Sequence, residues 1–295
     1  MMRSVLHTIF GLALVVISVI TIDAHAQDEL LWRELNPQNT VYMQIGEGLV
    51  VFELNPLFAP KTVNQFKLLL KNDFYRGLSF YRVIDGFVAQ GGDESDINVP
   101  NSQPQLEAEF QINWSDDLNW VPVQHDDLFA EDTGFIDGFA AAKTNRKTWL
   151  THCPGVLAMA RNIEPDTGST DFYIVIGQAP RYLDRNLTIF GRVVHGMDVV
   201  QRIRRGPADK NGVIDGDADR SRITSMKLGS EMPPEEQLEI YVMDTNSAGF
   251  NEYMQARRNR DAGFFLRKPP RVLDVCQVPV ASRVEKRSSL RGKTD

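Results

Sequence analysis

Two stretches decide the fold: FYRVIDGFVAQGGD at residues 80–93, read together with GVLAMARNIEPDTGSTDFYIVIG at residues 155–177. They carry short β-rich runs at 78–84, 87–90, 156–160 and 172–176, too short for helices and separated by glycine-bearing turns. Working outward, residues 40–54, TVYMQIGEGLVVFEL, alternate apolar and polar side chains around Gly46 and Gly48, with Val50, Phe52 and Leu54 on one side. That pattern predicts a β-hairpin. Next, Ala59-Pro60 opens a segment in which Val63, Phe66 and Leu70 recur at helical spacing. Pro60 suits the first helical turn, where its missing N–H removes no bond. Further strands are expected at 189–194 and 223–228, and a second helix near 197–204. Many short strands, Gly-rich turns and only two helical patterns predict a mainly β chain closed into a barrel.

Composition narrows the function. The 295 residues are 42% hydrophobic and 24% charged, the balance of a folded soluble chain, which excludes disorder, collagen and a polytopic membrane protein. Five histidines and two cysteines leave little material for a multi-histidine metal site or a disulfide scaffold, and no metal is expected. A formal charge of −7 argues against nucleic acid, whose phosphates need clustered Lys and Arg.

Between Val83 and Ala142 there is no Lys or Arg against thirteen Asp and Glu. Residues 94–151 are therefore expected to form an acidic loop insertion, a solvated surface loop in the plainer reading and an acidic rim attracting basic segments in the sharper one. Asp93-Glu94-Ser95-Asp96 lacks EF-hand spacing. After Pro233-Pro234 the character changes, and residues 231–281 are expected as an extension whose Phe250, Tyr253 and Met254 pack helically on the domain. Residues 282–295 are polar and basic and are expected as a disordered tail.

At the other end, Arg3, an apolar run at 9–22 and Ala24-His25-Ala26 have the order of a secretory signal peptide over residues 1–26. An uncleaved anchor is the other reading, but a span wants about 20 apolar residues. Cleavage leaves a mature chain from Gln27 with a lead-in at 27–39, no membrane span, and a periplasmic or secreted address.

In order and spacing these blocks, with YLDRNLTIFGRVVHGMDVV from Tyr182, resemble the cyclophilin-type peptidyl-prolyl isomerases from about Thr40 to Leu228. The resemblance implies a closed eight-stranded antiparallel barrel capped by two α-helices, over residues 40–230. It implies a monomer without cofactor, acting on proline-containing segments of exported or unfolded proteins. Carried over residue by residue, Arg82 is the catalytic group. Phe87, Val88, Tyr173 and Leu183 form the proline pocket, Gln90 fixes the peptide backbone, and Ala160, Arg161, Asp171 and Tyr182 belong to the binding groove. The chain departs from the family at Tyr81, where His is usual, Arg161 for Asn, Asp171 for Gln, Tyr173 for Phe and Leu187 for His. Tyr182 stands where many members use Trp to bind cyclosporin. These changes predict altered peptide preference, weak cyclosporin binding and a salt bridge between Arg161 and Asp171.

The chemistry fits the inventory. Rotation about an X–Pro bond crosses roughly 18 to 20 kcal/mol without making or breaking a bond, so a catalyst needs only a surface that favours the twisted imide. Two readings of the cysteines stay open, a Cys153–Cys276 bridge in an oxidising compartment or two buried thiols. A binding module with incidental isomerase activity is the alternative function, and the intact Arg82 pocket favours the enzyme. A Ser/His/Asp hydrolase has little support, since no Gly-x-Ser-x-Gly elbow is present.

Overall fold

The structure, a computed structural model, describes residues 31–94, 104–260 and 263–285. The expected signal peptide and residues 286–295 of the expected tail lie outside them. In chain order the elements are β1 (Trp32–Glu34), β2 (Thr40–Ile45), β3 (Gly48–Leu54), α1 (Pro60–Lys71), β4 (Ser79–Ile84) and β5 (Val88–Gly92). There follow β6 (Ile112–Asn113), β7 (Trp120–His125), β8 (Asp132–Ile136), β9 (Phe139–Lys143) and β10 (Lys147–Leu150). The chain continues through β11 (Val156–Met159), β12 (Phe172–Val175), β13 (Ile189–His195), α2 (Met197–Gln201), β14 (Ser221–Leu228), β15 (Glu239–Met243), α3 (Ala248–Asn259) and β16 (Ser282–Glu285).

Eight antiparallel strands close a barrel in the order β11-β12-β5-β4-β14-β2-β3-β13, with β13 pairing back to β11. The period-2 pattern sends Val41, Met43, Val50, Phe52, Phe80, Phe172 and Phe190 into a fully enclosed core. α1 covers this core with Val63, Phe66, Leu69 and Leu70. The Phe66 ring meets Phe190 at 5.0 Å and Phe172 edge-on at 6.0 Å. α1 has Pro60 in its first turn and no side-chain cap from Ala59. Its orphan donors are met from the insertion instead: the Glu109 carboxylate accepts from Lys61 N–H and Thr62 N–H at 2.9 Å each and from the Thr62 hydroxyl at 2.8 Å. Glu109→Gln should cost about 1 kcal/mol and lower the melting temperature by about 2 to 4 °C, read by calorimetry. An unchanged melting temperature would show that water serves the helix end equally well.

The segment expected as an acidic loop insertion is instead largely folded: β6-β10-β9-β8-β7 form a five-stranded antiparallel sheet. Its inward positions, Val121, Val123, Phe135, Phe139, Ala141 and Leu150, build a second core with Phe250 and Met254 of α3 and Leu273 and Val275 of the extension. Phe135 and Phe250 meet edge-to-face at 5.5 Å. That core also takes Val88, Val156, Tyr173 and Ile189 from the outer face of the barrel, so insertion and extension are packed on the barrel. Cys153 and Cys276 are joined by a disulfide across this seam, 123 residues apart in sequence.

The expected disordered tail also needs correction. Ser282–Glu285 pair antiparallel with β15, which pairs in turn with β1, because the backbone groups of an edge strand accept a partner whatever its side chains. A partly buried charge cluster fixes the seam: Glu53 on β3 accepts from Arg33 at 2.6 Å and from Arg192 at 2.8 Å, and both guanidiniums also donate to backbone carbonyls of the β8–β9 turn, at Asp137 and Gly138. Burial holds the Arg192 guanidinium below its usual pKa, and the Glu53 carboxylate opposes that shift. No helix among the described residues is long and apolar enough to cross a membrane.

Candidate active site

Arg82 lies on β4 where the register with β5 shifts, Phe80 facing Gly91 and Arg82 facing Gln90. Its other flank is held by residues 212–214: Val83 N–H donates to the Gly212 carbonyl at 2.8 Å and Ile214 N–H to the Tyr81 carbonyl at 2.9 Å. The backbone of Arg82 is thus fixed on both sides. The β4–β5 turn is pinned as well. A Cβ on Gly177 would fall 1.6 Å from the Gly86 carbonyl oxygen, so glycine is required for the two backbones to touch. Ile176 N–H donates to the Phe87 carbonyl at 2.9 Å, which sets Phe87 at the end of the turn.

These elements open onto a cavity of about 190 Å³ lined by Arg82, Phe87, Val88, Gln90, Ala160, Arg161, Tyr173, Leu183 and Leu187. Eight of the ten residues expected from sequence meet there; Leu187, noted as a departure, is the ninth wall. Asp171 lies instead in an adjoining cavity of about 130 Å³ with Asn162, Thr167 and Ser169, which shares Gln90, Ala160 and Arg161 with the first. Tyr182 stands 66% exposed in the 3₁₀ turn Arg181–Leu183 and lines neither cavity.

A hydrogen-bonded chain orients the cation. Arg82 Nη1 donates to Gln90 Oε1 at 3.1 Å, Gln90 Nε2 donates to the Tyr81 hydroxyl at 2.6 Å, and that hydroxyl donates to Asp171 Oδ1 at 3.3 Å. Burial, aided by Asp171, pushes the Tyr81 phenol well above its usual pKa, so it remains a donor. The two departures at 81 and 171 are therefore partners: a phenol donates the hydrogen bond and a carboxylate accepts it. The expected Arg161–Asp171 salt bridge is not formed. Arg161 donates to the carbonyls of Asn186, Asn162 and Ile163 at 3.0, 2.7 and 2.8 Å and lies 5.8 Å from the Phe110 ring. Local carbonyls reach its fork before a carboxylate does.

Sequence reasoning missed what stands behind the cavity. The Tyr173 hydroxyl meets His152 Nε2 at 2.8 Å, and His152 Nδ1 meets Asp184 at 3.0 Å. This His–Asp pair ends on a phenol whose pKa burial raises, and so offers no activated serine. No group of His, Cys, Asp and Glu among the described residues is arranged to hold a metal. What the arrangement presents is one oriented guanidinium at the edge of an apolar, ring-sized hollow.

A family model described as "Cyclophilin type peptidyl-prolyl cis-trans isomerase/CLD" matches residues 40–227. A "Probable peptidyl-prolyl cis-trans isomerase" of Brucella suis is 32% identical over 179 residues, covering 61% of this chain and 78% of its own. The human "Peptidyl-prolyl cis-trans isomerase-like 1" is 31% identical over 163 residues, with coverage of 55% and 78%. Among solved structures, the cyclophilin AquaCyp293 from Hirschia baltica superposes with a TM-score of 0.72 at 26% identity, covering 90% of this chain and 97% of that one. That coverage reaches beyond the matched family segment. The barrel, the sequence match and the relatives agree: this chain belongs to the cyclophilin-type peptidyl-prolyl cis-trans isomerases.

Proposed function

We propose that the Arg82 cavity is where this isomerase turns the X–Pro bond, and that its substrates are proline-containing segments of exported chains. The observation that carries the reading is the Arg82–Gln90 bond at the rim of the apolar hollow. Phe87, Val88, Tyr173 and Leu183 hold the pyrrolidine ring while the preceding carbonyl swings. Arg82 donates to the prolyl carbonyl and to the imide nitrogen as its lone pair localises, an interaction that exists in full only at the twisted state. Gln90 both aims Arg82 and fixes the peptide backbone. Against a barrier of roughly 18 to 20 kcal/mol, a charged hydrogen bond removes about 1.5 to 3 kcal/mol, and any further lowering comes from the fit of the ring and the exclusion of water. The test is exchange NMR on a short Ala-Pro peptide: catalytic amounts of protein should broaden the cis and trans resonances, and unbroadened lines would overturn the reading in favour of a binding module.

The export reading rests on residues 1–26. Protein recovered from producing cells should begin at Gln27 by N-terminal sequencing and fractionate with the periplasm or medium; an intact Met1 in the cytoplasm would refute it. Tyr182 in place of an indole, and Arg161 where the family has an amide, predict a cyclosporin dissociation constant above about 1 µM. A nanomolar titration would contradict this.

A further inference from the structure

We propose that Asp127, carried by the insertion, is a positioning residue for the prolyl pocket, acting through Arg181, Asp184 and His152 on Tyr173 and Leu183. The inference rests on the reading of the Arg82 cavity as the prolyl site. Asp127 Oδ1 accepts from Arg181 Nη2 at 3.1 Å, and Arg181 Nε donates to Asp184 Oδ2 at 2.6 Å. The other oxygen of Asp184 accepts from the His152 backbone N–H at 2.8 Å and faces His152 Nδ1 at 3.0 Å. His152 Nε2 then meets the Tyr173 hydroxyl at 2.8 Å, with the two rings stacked at an interplanar angle of 9°. His152 is fully buried, Arg181 is 5% exposed, and the carboxylates of Asp127 and Asp184 are 10% and 6% exposed.

Proton bookkeeping gives this chain one direction. The Asp184 carboxylate can only accept, so a neutral His152 ring carries its proton on Nδ1 and accepts at Nε2, and the Tyr173 hydroxyl, kept protonated by burial with Asp184 next in importance, donates to it. Each side chain is oriented by the next, and His152 at the centre of the chain is wholly shielded from solvent. Both ends of the chain that reach the cavity are walls. Tyr173 lines it directly, and Leu183 lines it from the 3₁₀ turn that Arg181 opens, whose Arg181 carbonyl accepts from Asp184 N–H at 3.0 Å. Removing the charge of Asp127 leaves Arg181, a buried cation, with one carboxylate instead of two. The guanidinium then re-aims, Asp184 follows it, and both walls shift. The insertion is thereby part of the specificity of the barrel, although it contributes no residue to the cavity.

The measurement compares wild type, Asp127→Asn, Tyr173→Phe and the double variant, by Ala-Pro peptide dissociation constant and on-enzyme exchange rate from NMR line shapes. Asp127→Asn should weaken binding about fivefold, with the exchange rate of bound peptide within about twofold of wild type, and should add less than about twofold on top of Tyr173→Phe. A dissociation constant unchanged within about twofold, or single effects that multiply in the double variant, would overturn the proposal. Should Asp127→Asn fail to fold, wild-type protein decides: saturating peptide should shift the Arg181 Nε–H resonance, which touches no peptide, and a static resonance contradicts the coupling. If wild type binds the peptide without accelerating exchange, the prolyl mechanism is refuted and the binding comparison still decides the role of Asp127.

Discussion

Arg82→Ala should lower catalysed exchange of an Ala-Pro peptide by about ten- to a hundredfold while leaving the fold intact. The magnitude follows from one charge-assisted hydrogen bond of about 1.5 to 3 kcal/mol, each 1.36 kcal/mol being a factor of ten. The fold is spared because the Arg82 side chain sits at a cavity rim and its strand is anchored through backbone bonds to β5 and residues 212–214. Arg82→Lys should recover little, because an ammonium cannot both accept the aim given by Gln90 and reach two atoms of the imide. Thermal unfolding and peptide exchange, measured on the same sample, separate the two consequences. A variant that broadens the peptide lines as strongly as wild type would remove Arg82 from the mechanism.

Loss of the Cys153–Cys276 bond should be the largest stability change. In the chain-entropy model a loop of 123 residues stabilises by about 5 kcal/mol at 25 °C. For a chain of this size about 2 to 4 °C of melting temperature accompany each kcal/mol, so Cys153→Ser/Cys276→Ser should melt at least about 10 °C below wild type. The effect should fall first on the extension, since Leu273, Val275 and Val278 are buried on the second core around Cys276 and have no covalent tether otherwise. Because Cys153 directly follows His152, peptide binding should weaken before the barrel unfolds. Calorimetry of the double serine variant, with peptide titration below its transition, measures both; a melting temperature within about 3 °C of wild type would mean that packing alone holds the extension.

The barrel was legible because its strands obey a period of two and its turns carry glycine, as at 40–54. Eight of the ten expected site residues meet at one cavity: seven sit in two motifs whose strands, β5 and β12, are paired with Gln90 opposite Tyr173, and Leu183 follows in the third block. The insertion was misread because its carboxylates dominate any count of composition. The signal present was the alternation of Val121 and Val123 around Pro122, which a charge tally hides. Tyr81 and Asp171 look like two independent departures at a separation of 90 residues, and only the fold brings them to 3.3 Å. His152 and Arg181 gave no sequence signal, and Asp184 only its place in the third block, since single polar residues acquire meaning from burial, which periodicity does not report. β16 gave none either, because its SRVE side chains are polar and the pairing is made by the backbone.

The most direct test is a structure of the protein with a bound proline-containing peptide. The proline ring should lie in the 190 Å³ cavity between Phe87, Tyr173 and Leu183, with its carbonyl oxygen about 3 Å from the Arg82 guanidinium. A peptide bound with its proline outside that cavity, or with Arg82 turned away and paired elsewhere, would contradict the account.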